Sequence, residues 1–146
     1  MSIDKSSVLW DTRFLDMAKL IASWSKQKTT KVGAVIVDHK HRVVSLGFNG
    51  YPTGIKDDYN VSREEKLRRI VHAEENALLF SYRDLNGFTM YITHPPCARC
   101  AAKIIQSGIR RVVCLRPSED FLTRWDLDVK TAYDMFNQIG IFVEYY

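Results

Sequence analysis

The alternation of strand-like and helical segments is the feature that most restricts the fold of this chain. Five short runs are rich in β-branched and aromatic residues, as strands are: 32–38, 42–48, 89–93, 111–115 and 141–145. Four further segments have helical sequence: 11–25, 62–82, 97–107 and 126–138. The order is therefore α-β-β-α-β-α-β-α-β. An initial hairpin followed by alternating helices and strands predicts an α/β fold, with a mixed sheet of five strands and helices on both faces.

Single residues mark where some of these elements begin or break. Asp11 precedes the first apolar repeat and is expected to cap its helix. Ser62 followed by Glu65 is a capping-box pattern, so another helix is expected to begin there. We expect that helix to break near His72, which would aim the histidine side chain. No repeat or linker-like tract interrupts the 146 residues, so one domain spanning 1–146 is expected.

Composition restricts the setting of the protein and its partners. The net charge of +4 is too mild to identify a nucleic-acid binder, and it suits a small phosphorylated substrate at least as well. No apolar stretch reaches the length of a membrane span, and residues 1–14 lack the hydrophobic core of a secretory signal. Three cysteines, two of them spaced Cys-x-x-Cys, fit metal or redox chemistry better than a disulfide framework. We therefore expect a cytoplasmic protein with no membrane partner.

One constellation of residues carries the chemistry: His-Ala-Glu at 72–74, followed by Pro-Cys-Ala-Arg-Cys at 96–100. A catalytic zinc site uses three protein ligands and keeps one position open for water. Cys97 and Cys100 lie three residues apart at a helix start, so both thiolates can reach one ion. His72 is expected to supply the third ligand. Glu74 is expected to move protons without binding the metal.

This spacing, His-x-Glu followed by Pro-Cys-x-x-Cys, is the known signature of zinc-dependent nucleobase deaminases. In such enzymes a zinc-bound hydroxide attacks the ring carbon that carries the amino group, which is C4 in cytosine. The pattern therefore predicts hydrolytic deamination with Zn²⁺ as cofactor and Glu74 as the proton shuttle.

Other interpretations of the same residues stay open. Cys-x-x-Cys alone is also typical of a redox pair or of half a structural zinc site. Cys114 would complete a Cys₃His site, although its place within a strand favours simple burial. A deaminase acting on nucleic acid, such as a tRNA adenosine deaminase, would share the metal and the glutamate but would need a basic, aromatic platform for flanking nucleotides. A non-catalytic zinc module would need no Glu74.

Four stretches make the chain resemble the cytidine deaminase superfamily, and within it the deoxycytidylate (dCMP) deaminases. They are VGAVIV at 32–37, GFNG at 47–50 with Pro52 and Gly54, HAEENA at 72–77, and PCARCA at 96–101. The resemblance extends from about Lys31 to Tyr145. It implies a three-layer α/β/α sandwich and deamination of dCMP to dUMP, which supplies thymidylate synthesis. The stretch from Gly47 to Gly54 favours this branch over enzymes that act on nucleic acid.

The resemblance also implies roles for individual residues and for partners. Asn49 would hydrogen-bond the deoxyribose, and the backbone near Ala73 would contact the base. Family members are typically homo-oligomers, often hexamers, which dCTP activates and dTTP inhibits at a subunit interface that holds Mg²⁺. The acidic pair Asp57-Asp58 resembles the regulatory loop of the family, and Arg68 belongs to a basic run that could meet an effector's phosphates.

Several charged and aromatic residues have two expected roles each. Lys31, with Lys26 and Lys28, would either neutralise a 5′-phosphate or form a solvated basic turn. Trp125 would either close over the substrate or anchor the last helix. The run containing Arg63, Lys66, Arg68 and Arg69 is either a solvated helix face or an effector site. His94 is expected to line the pocket near the metal, since the three ligands are already assigned.

Overall fold

The computed structural model describes residues 5–57, 60–123 and 127–146. Its helices are α1 Lys5–Ala22, α2 Arg63–Arg69, α3 Ala73–Leu79, α4 Ala98–Gln106, α5 Glu119–Thr123 and α6 Leu127–Gln138. Its strands are β1 Gly33–Val37, β2 Val43–Phe48, β3 Thr89–Ile92, β4 Arg111–Cys114 and β5 Glu144–Tyr145. Within these described ranges, no helix combines the length and apolar character needed to cross a bilayer.

The strands form one mixed sheet in the order β2-β1-β3-β4-β5. β1 runs antiparallel to both of its neighbours, β2 and β3, whereas β3, β4 and β5 run parallel to one another. The hairpin of β1 and β2 therefore forms one edge of the sheet. The strands β3, β4 and β5 run parallel because helical crossovers connect them. The predicted five-stranded mixed sheet is confirmed.

Alternation along β1 divides the core into two layers. Val35 and Val37 face α1, which buries four apolar side chains against the sheet: Phe14, Leu15, Ala18 and Ile21. Ala34 and Ile36 face the other side, where residues of α3, α4 and α6 pack: Ala73, Ala77, Ala101, Ile104, Ala132 and Phe136. Successive strand residues point to opposite faces, so a strand buried on both faces is apolar throughout, as β1 is. The predicted α/β/α sandwich is confirmed.

Two glycines let helices approach the sheet at backbone distance. A Cβ atom on Gly33 would lie 2.1 Å from the Ala18 carbonyl oxygen of α1. A Cβ atom on Gly47 would lie 2.4 Å from the Ala73 carbonyl oxygen and 2.5 Å from the Ala77 nitrogen, both in α3. Because these neighbours are main-chain atoms, they cannot move aside as a flexible side chain would. Glycine is therefore required at both positions for this packing.

The predicted helix over 62–82 breaks where it was expected to break. α2 ends at Arg69, and Val71 instead forms a short antiparallel bridge with Gly50 through two backbone hydrogen bonds of 3.1 and 2.8 Å. α3 then begins anew at Ala73, with His72 as its extended N-cap residue. The bridge explains the interruption, since Val71 cannot pair with Gly50 and continue a helix at the same time.

The expected cap at Asp11 is wrong. α1 begins at Lys5, so Asp11 lies inside the helix, where its side chain is buried and accepts hydrogen bonds from Arg111 and Tyr91. The helix extends upstream because Trp10 continues its apolar face and stacks on Phe14. A carboxylate near the start of an apolar repeat resembles an N-cap, and its true partners lie far along the chain.

Other element bounds also differ from the expectation. The strand expected over 141–145 is reduced to Glu144–Tyr145, while Ile141 is buried in the core ahead of it. The short helix α5 was not predicted. Its sequence carries two acidic residues in the first turn but too few residues to show a helical repeat.

Candidate metal centre and active site

The candidate metal ligands come from the N-termini of two helices on the same face of the sheet. His72 is the N-cap residue of α3, which begins after the bridge between Gly50 and Val71. Cys97 is the N-cap residue of α4, and Cys100 lies in the first turn of that helix. The unpaired N–H groups of both helix starts favour negative charge there, which suits thiolate ligands. The fold thus brings together three residues that are separated in sequence.

The ligand atoms are close enough to share one ion. The Nδ1 atom of His72 lies 3.2 Å from the Cys100 sulfur and 3.5 Å from the Cys97 sulfur. All three ligand atoms lie within 4.8 Å of one another. Tetrahedral zinc, with Zn–N of about 2.0 Å and Zn–S of about 2.3 Å, needs donor atoms roughly 3.5–4 Å apart. One imidazole and two thiols at these distances fit a zinc ion.

The protonation of the two thiols also suits metal binding. A hydrogen bond from the Cys100 thiol, together with the nearby His72, lowers the pKa of Cys97 to about 4. The same hydrogen bond raises the pKa of Cys100. The pair thus holds one anionic sulfur and one proton in the absence of an ion, and a metal takes the place of that proton.

Cys114 takes no part in this cluster. It is buried in β4, where its thiol donates to the Leu115 carbonyl oxygen at 3.2 Å. Among the residues that the structure describes, the cluster of metal-ligating side chains contains only His72, Cys97 and Cys100. A Cys₃His site is therefore not formed, and three protein ligands leave a coordination position for water.

Glu75 holds the two ligand-bearing helices together. Its Oε1 atom accepts from the His72 backbone N–H at 3.1 Å and from the Arg99 guanidinium at 3.0 Å. Its Oε2 atom pairs with the Lys103 ammonium on α4. Burial opposes ionisation of this carboxyl group, yet the hydrogen bonds from Lys103 and His72 hold its pKa below the usual value. Glu75 is therefore an anion that fixes α3 against α4.

Glu74 lies in the first turn of α3 and is only 4% exposed. Burial raises the pKa of this carboxyl group to about 7, despite the opposing effects of a backbone N–H and of His72. A carboxyl group with a pKa near neutrality can both accept and release a proton at physiological pH. This is the property that a proton shuttle beside a metal needs.

Two of the metal ligands, His72 and Cys97, form part of the wall of a cavity of about 620 Å³, together with Glu74. Its remaining wall comes from the turn after α1, from α2, and from the segments after β3 and around α6; among the residues are Gln27, Thr29, Thr30, Val61, Arg63, Lys66, His94, Phe121 and Asp128. Small-molecule sites usually have volumes of about 300–1,000 Å³. The cavity therefore has the size of a small-molecule site.

The predicted substrate-binding residues differ in their position relative to the cavity. Asn49 and Ala73 line the cavity. Lys31 is exposed and is not part of the cavity wall. Trp125 lies outside the described residues. Asn49 also holds the neighbouring turn, since its Oδ1 atom accepts from the Val32 N–H and its Nδ2 atom donates to the Thr30 carbonyl, both at 2.9 Å.

Two of the predicted regulatory residues, Asp57 and Arg68, are not among the residues that line the cavity. Asp57 pairs with Lys26 at 3.4 Å, which links the loop after β2 to the turn after α1. Arg68 pairs with Glu65 at 2.8 Å on the exposed side of α2. Asp58 lies outside the described residues. An effector site that involves these residues therefore stays a prediction.

Several cavity residues were missed or left undecided from the sequence. Gln27, Thr29, Thr30 and Phe121 carry no motif, so nothing in the sequence distinguished them from ordinary loop and helix residues. Arg63 and Lys66 were recognised as basic, but the face of a helix that meets a cavity depends on the packing of the whole chain. His94 lines the cavity from the segment between β3 and the ligand-bearing helix α4.

Comparisons with known proteins agree with this geometry. Residues 8–116 match the family model described as the cytidine and deoxycytidylate deaminase zinc-binding region. The chain is 52% identical over 133 residues to an Aliivibrio fischeri protein described as an uncharacterized deaminase in the luxG 3′ region, covering 90% of each chain. It is 35% identical over 141 residues to the deoxycytidylate deaminase of Homo sapiens, covering 90% of this chain and 76% of the human protein.

A solved structure shows the same architecture over the whole length. The apo dCMP deaminase of cyanophage S-TIM5 superposes with a TM-score of 0.74 at 25% sequence identity, covering 99% of this chain and 100% of that one. The family match includes both ligand-bearing helix starts, at His72 and at Cys97. The cluster, the buried glutamate and these matches agree with one another: the chain belongs to the cytidine and deoxycytidylate deaminase family and is a zinc-binding deaminase.

Proposed function

We propose that this protein catalyses the hydrolytic deamination of dCMP to dUMP, and so supplies the substrate of thymidylate synthesis. The observation that carries the proposal is the buried Glu74 carboxyl group beside the cluster of His72, Cys97 and Cys100, where Glu74, His72 and Cys97 line one cavity of about 620 Å³. The human relative supports the choice of substrate, since it is a deoxycytidylate deaminase that shares 35% identity with this chain.

In this reaction Glu74 moves the protons. Zinc, when bound by His72, Cys97 and Cys100, supplies a Lewis acid that lowers the pKa of water to about 7. Glu74 takes a proton from the attacking water and delivers it to the ring nitrogen N3, then carries a second proton to the leaving amine. Its pKa near 7 suits both directions of transfer. Its burial keeps bulk water from competing for the proton.

Asn49 and Ala73 orient the substrate in this proposal. The Asn49 amide uses one lone pair and one N–H for the turn at Thr30 and Val32. A side-chain amide has two of each, so one acceptor and one donor are left for a sugar hydroxyl. The Ala73 N–H opens α3 and has no acceptor within its own helix, which leaves it able to contact the base.

Several expectations from the sequence and from the family resemblance stay predictions. They are activation by dCTP and inhibition by dTTP with Mg²⁺, involving Asp57, Asp58 and Arg68; assembly as a homo-oligomer, often a hexamer in the family; the substrate contacts of Lys31 and Trp125; and a cytoplasmic location. The ion pair between Asp57 and Lys26 gives the regulatory loop a direct link to the turn that borders the cavity.

Deamination of dCMP by the zinc-loaded protein tests the proposal. We expect loss of the cytosine absorbance with dCMP, weaker activity with CMP, dCTP and deoxycytidine, and a response of the dCMP rate to added dCTP or dTTP. Single-stranded DNA and tRNA serve as competing substrates in the same assay. Deamination of either nucleic acid, with free dCMP untouched, would assign the cavity to a polymer instead.

A further inference from the structure

One buried side-chain amide in the cavity wall has no hydrogen-bond partner among the residues that the structure describes. Within those residues, three buried polar side chains line the cavity: Gln27, Asn49 and Glu74. Asn49 bonds to the neighbouring turn, and Glu74 lies beside the metal ligands. Gln27 is only 6% exposed, and its backbone N–H is bonded, but its side-chain amide is not.

The Gln27 amide is suited to a ligand group that both donates and accepts. Roughly 90% or more of buried polar groups in proteins are hydrogen-bonded, because an unbonded one destabilises the fold. The protein does not cover this amide completely, so a molecule in the cavity can reach it. A primary amide offers N–H donors and a carbonyl acceptor. A hydroxyl group matches it on both counts.

Ser25 fixes Gln27 beside Asn49. The buried Ser25 hydroxyl accepts from the Gln27 backbone N–H at 3.2 Å and donates to the Asn49 backbone carbonyl at 2.8 Å. The Asn49 side chain in turn bonds to the backbone of Thr30 and Val32. One hydrogen-bonded unit therefore carries both cavity amides, which we call the Gln27–Asn49 pair. Their backbones are held in place before any ligand binds, which lowers the cost of binding.

We infer that Gln27, beside Asn49, binds the 3′-hydroxyl of the substrate's sugar and makes the enzyme select nucleotides whose 3′-hydroxyl is free. In dCMP this is the only sugar hydroxyl, because the 5′ oxygen carries the phosphate and C2′ carries hydrogen. A hydroxyl donates one hydrogen bond and can accept two, so it can bond to both amides at once. The presence of a sugar rests on the proposed function, whereas the match to a hydroxyl rests on the buried Gln27 amide.

The Gln27–Asn49 pair disfavours nucleotides that are part of a strand. In DNA or RNA the 3′ oxygen is esterified, so it has no proton to donate and brings a bulky, charged group against the pair. The residues of this turn that line the cavity are uncharged: Gln27, Thr29 and Thr30. Two cations of the turn are not part of the cavity wall, since Lys26 pairs with Asp57 and Lys31 is exposed. The turn therefore suits a neutral hydroxyl better than a phosphodiester.

Steady-state kinetics of zinc-loaded Gln27→Met, with dCMP and its 2′,3′-dideoxy analogue (ddCMP), test the inference. Methionine has about the length of glutamine but no amide. We expect kcat/KM for dCMP to fall by about 3- to 10-fold, because one hydrogen bond to the hydroxyl is lost, and the value for ddCMP to stay near that of the wild type. Gln138→Met is the matched control, since Gln138 is exposed and does not line the cavity, and both values should stay unchanged.

The 3′-O-methyl ether of dCMP tests the exclusion of strands with the wild-type enzyme. It keeps an acceptor at the 3′ position but has no proton to donate and adds bulk. We expect it to be at least as poor a substrate as ddCMP. Turnover of the ether as fast as that of dCMP would overturn the inference.

Binding of the product gives a measurement that does not depend on turnover. In calorimetric titrations, Gln27→Met should bind dUMP more weakly than the wild type does, and both proteins should bind the 2′,3′-dideoxy analogue of dUMP alike. Equal losses for the two ligands, or no loss for dUMP, would overturn the inference. Wild-type protein that prefers dUMP to its dideoxy analogue but does not deaminate dCMP would contradict the proposed function and leave recognition of the hydroxyl supported.

Discussion

Two carboxyl groups are buried in the described part of the chain, and their surroundings assign them different tasks. Asp11 is surrounded by hydrogen-bond donors from Arg111, Tyr91 and Tyr146, so it is held as an anion. Burial is the largest influence on Glu74, whose pKa is raised to about 7. A buried acid stabilised in its charged form is a structural residue. One poised between its two forms can transfer protons.

Replacing Glu74 with Gln tests the proton shuttle at the scale of one residue. We expect kcat for dCMP to fall by about 10²- to 10⁴-fold or more, because an amide cannot accept the proton of the attacking water. Zinc content should stay near that of the wild type, since Glu74 is not among the clustered ligands. Metal analysis and the deamination assay on the same preparation provide both readings. Activity close to wild type would show that Glu74 is not the proton shuttle.

At the residue scale, the sequence is most informative where the chemistry is local. His72, Cys97 and Cys100 could be assigned because a zinc ligand set is a property of residue type and spacing. Asp11 was misjudged because its principal partner, Arg111, is 100 residues away. The basic residues Arg63 and Lys66 were recognised but not placed, since only the folded chain decides which side of α2 meets the cavity.

At the scale of elements, the site depends on how the N-termini of α3 and α4 are positioned against the sheet. Gly47 of β2 and the backbone of α3 are in direct contact, and the Ser45 hydroxyl beside it donates to the Ala77 carbonyl at 2.7 Å. Glu75 then fixes α3 to α4 through its contacts with Arg99 and Lys103. The position of His72 relative to the cysteines is therefore set by packing along the whole of α3.

Substituting Gly47 with Ala should displace α3 and disturb the metal centre. A Cβ atom at this position would lie 2.4 Å from a main-chain oxygen of α3, so the helix has to shift. We expect a loss of about 1–3 kcal/mol in the free energy of unfolding, measured with urea, and weaker zinc retention against a chelator.

Gly50→Ala is the matched control for this variant. No atom lies within 4 Å of a Cβ built on Gly50, and its backbone hydrogen bonds to Val71 do not involve a side chain. We expect its stability and zinc retention to be close to those of the wild type. If Gly47→Ala behaves like this control, the close approach of β2 and α3 does not position the site.

The elements themselves were largely predictable, and the exceptions have physical causes. The apolar runs and the helical repeats identified the five-stranded sheet and its covering helices. The break before His72 followed from the need to aim that residue, although its cause, the bridge to Gly50, was visible only in the fold. The helix α5 and the two-residue strand β5 are too short to give a periodic signal.

At the scale of the whole molecule, one polar network ties the first helix to the end of the chain. Arg111 of β4 donates to both oxygens of Asp11 in α1, at 2.8 and 2.6 Å, and to both oxygens of Glu144 in β5. The hydroxyl groups of Tyr91 and Tyr146 also donate to Asp11. The network lies at the face covered by α1, opposite the layer that carries the metal ligands.

Replacing Asp11 with Asn should lower stability and change its dependence on pH. Burial opposes ionisation of Asp11, but hydrogen bonds from Arg111, Tyr146 and Tyr91 lower its pKa below the ordinary value of 3.8. Its contribution is therefore complete above about pH 4 to 5 and is lost as the pH falls through the folded-state pKa. We expect Asp11→Asn to cost about 3 kcal/mol in the free energy of unfolding at pH 7, and progressively less in acid.

Urea unfolding at several pH values measures this effect, and Asp16→Asn is the control. Asp16 is exposed on the same helix and pairs with Lys19 at 3.8 Å, so its loss should cost less than about 0.5 kcal/mol at any pH. A constant difference between Asp11→Asn and the wild type from neutral to acid pH would show that the Asp11 charge does not stabilise the fold.

Zinc-edge X-ray absorption on the purified protein tests most directly whether His72, Cys97 and Cys100 hold a catalytic metal. We expect about one zinc ion per chain, with two sulfur atoms at about 2.3 Å and two nitrogen or oxygen atoms at about 2.0–2.1 Å, one of them from water. A shell with three or more sulfur atoms would place Cys114 at the metal, and a shell without sulfur would exclude the cysteine pair. Either result would contradict the assignment of the site.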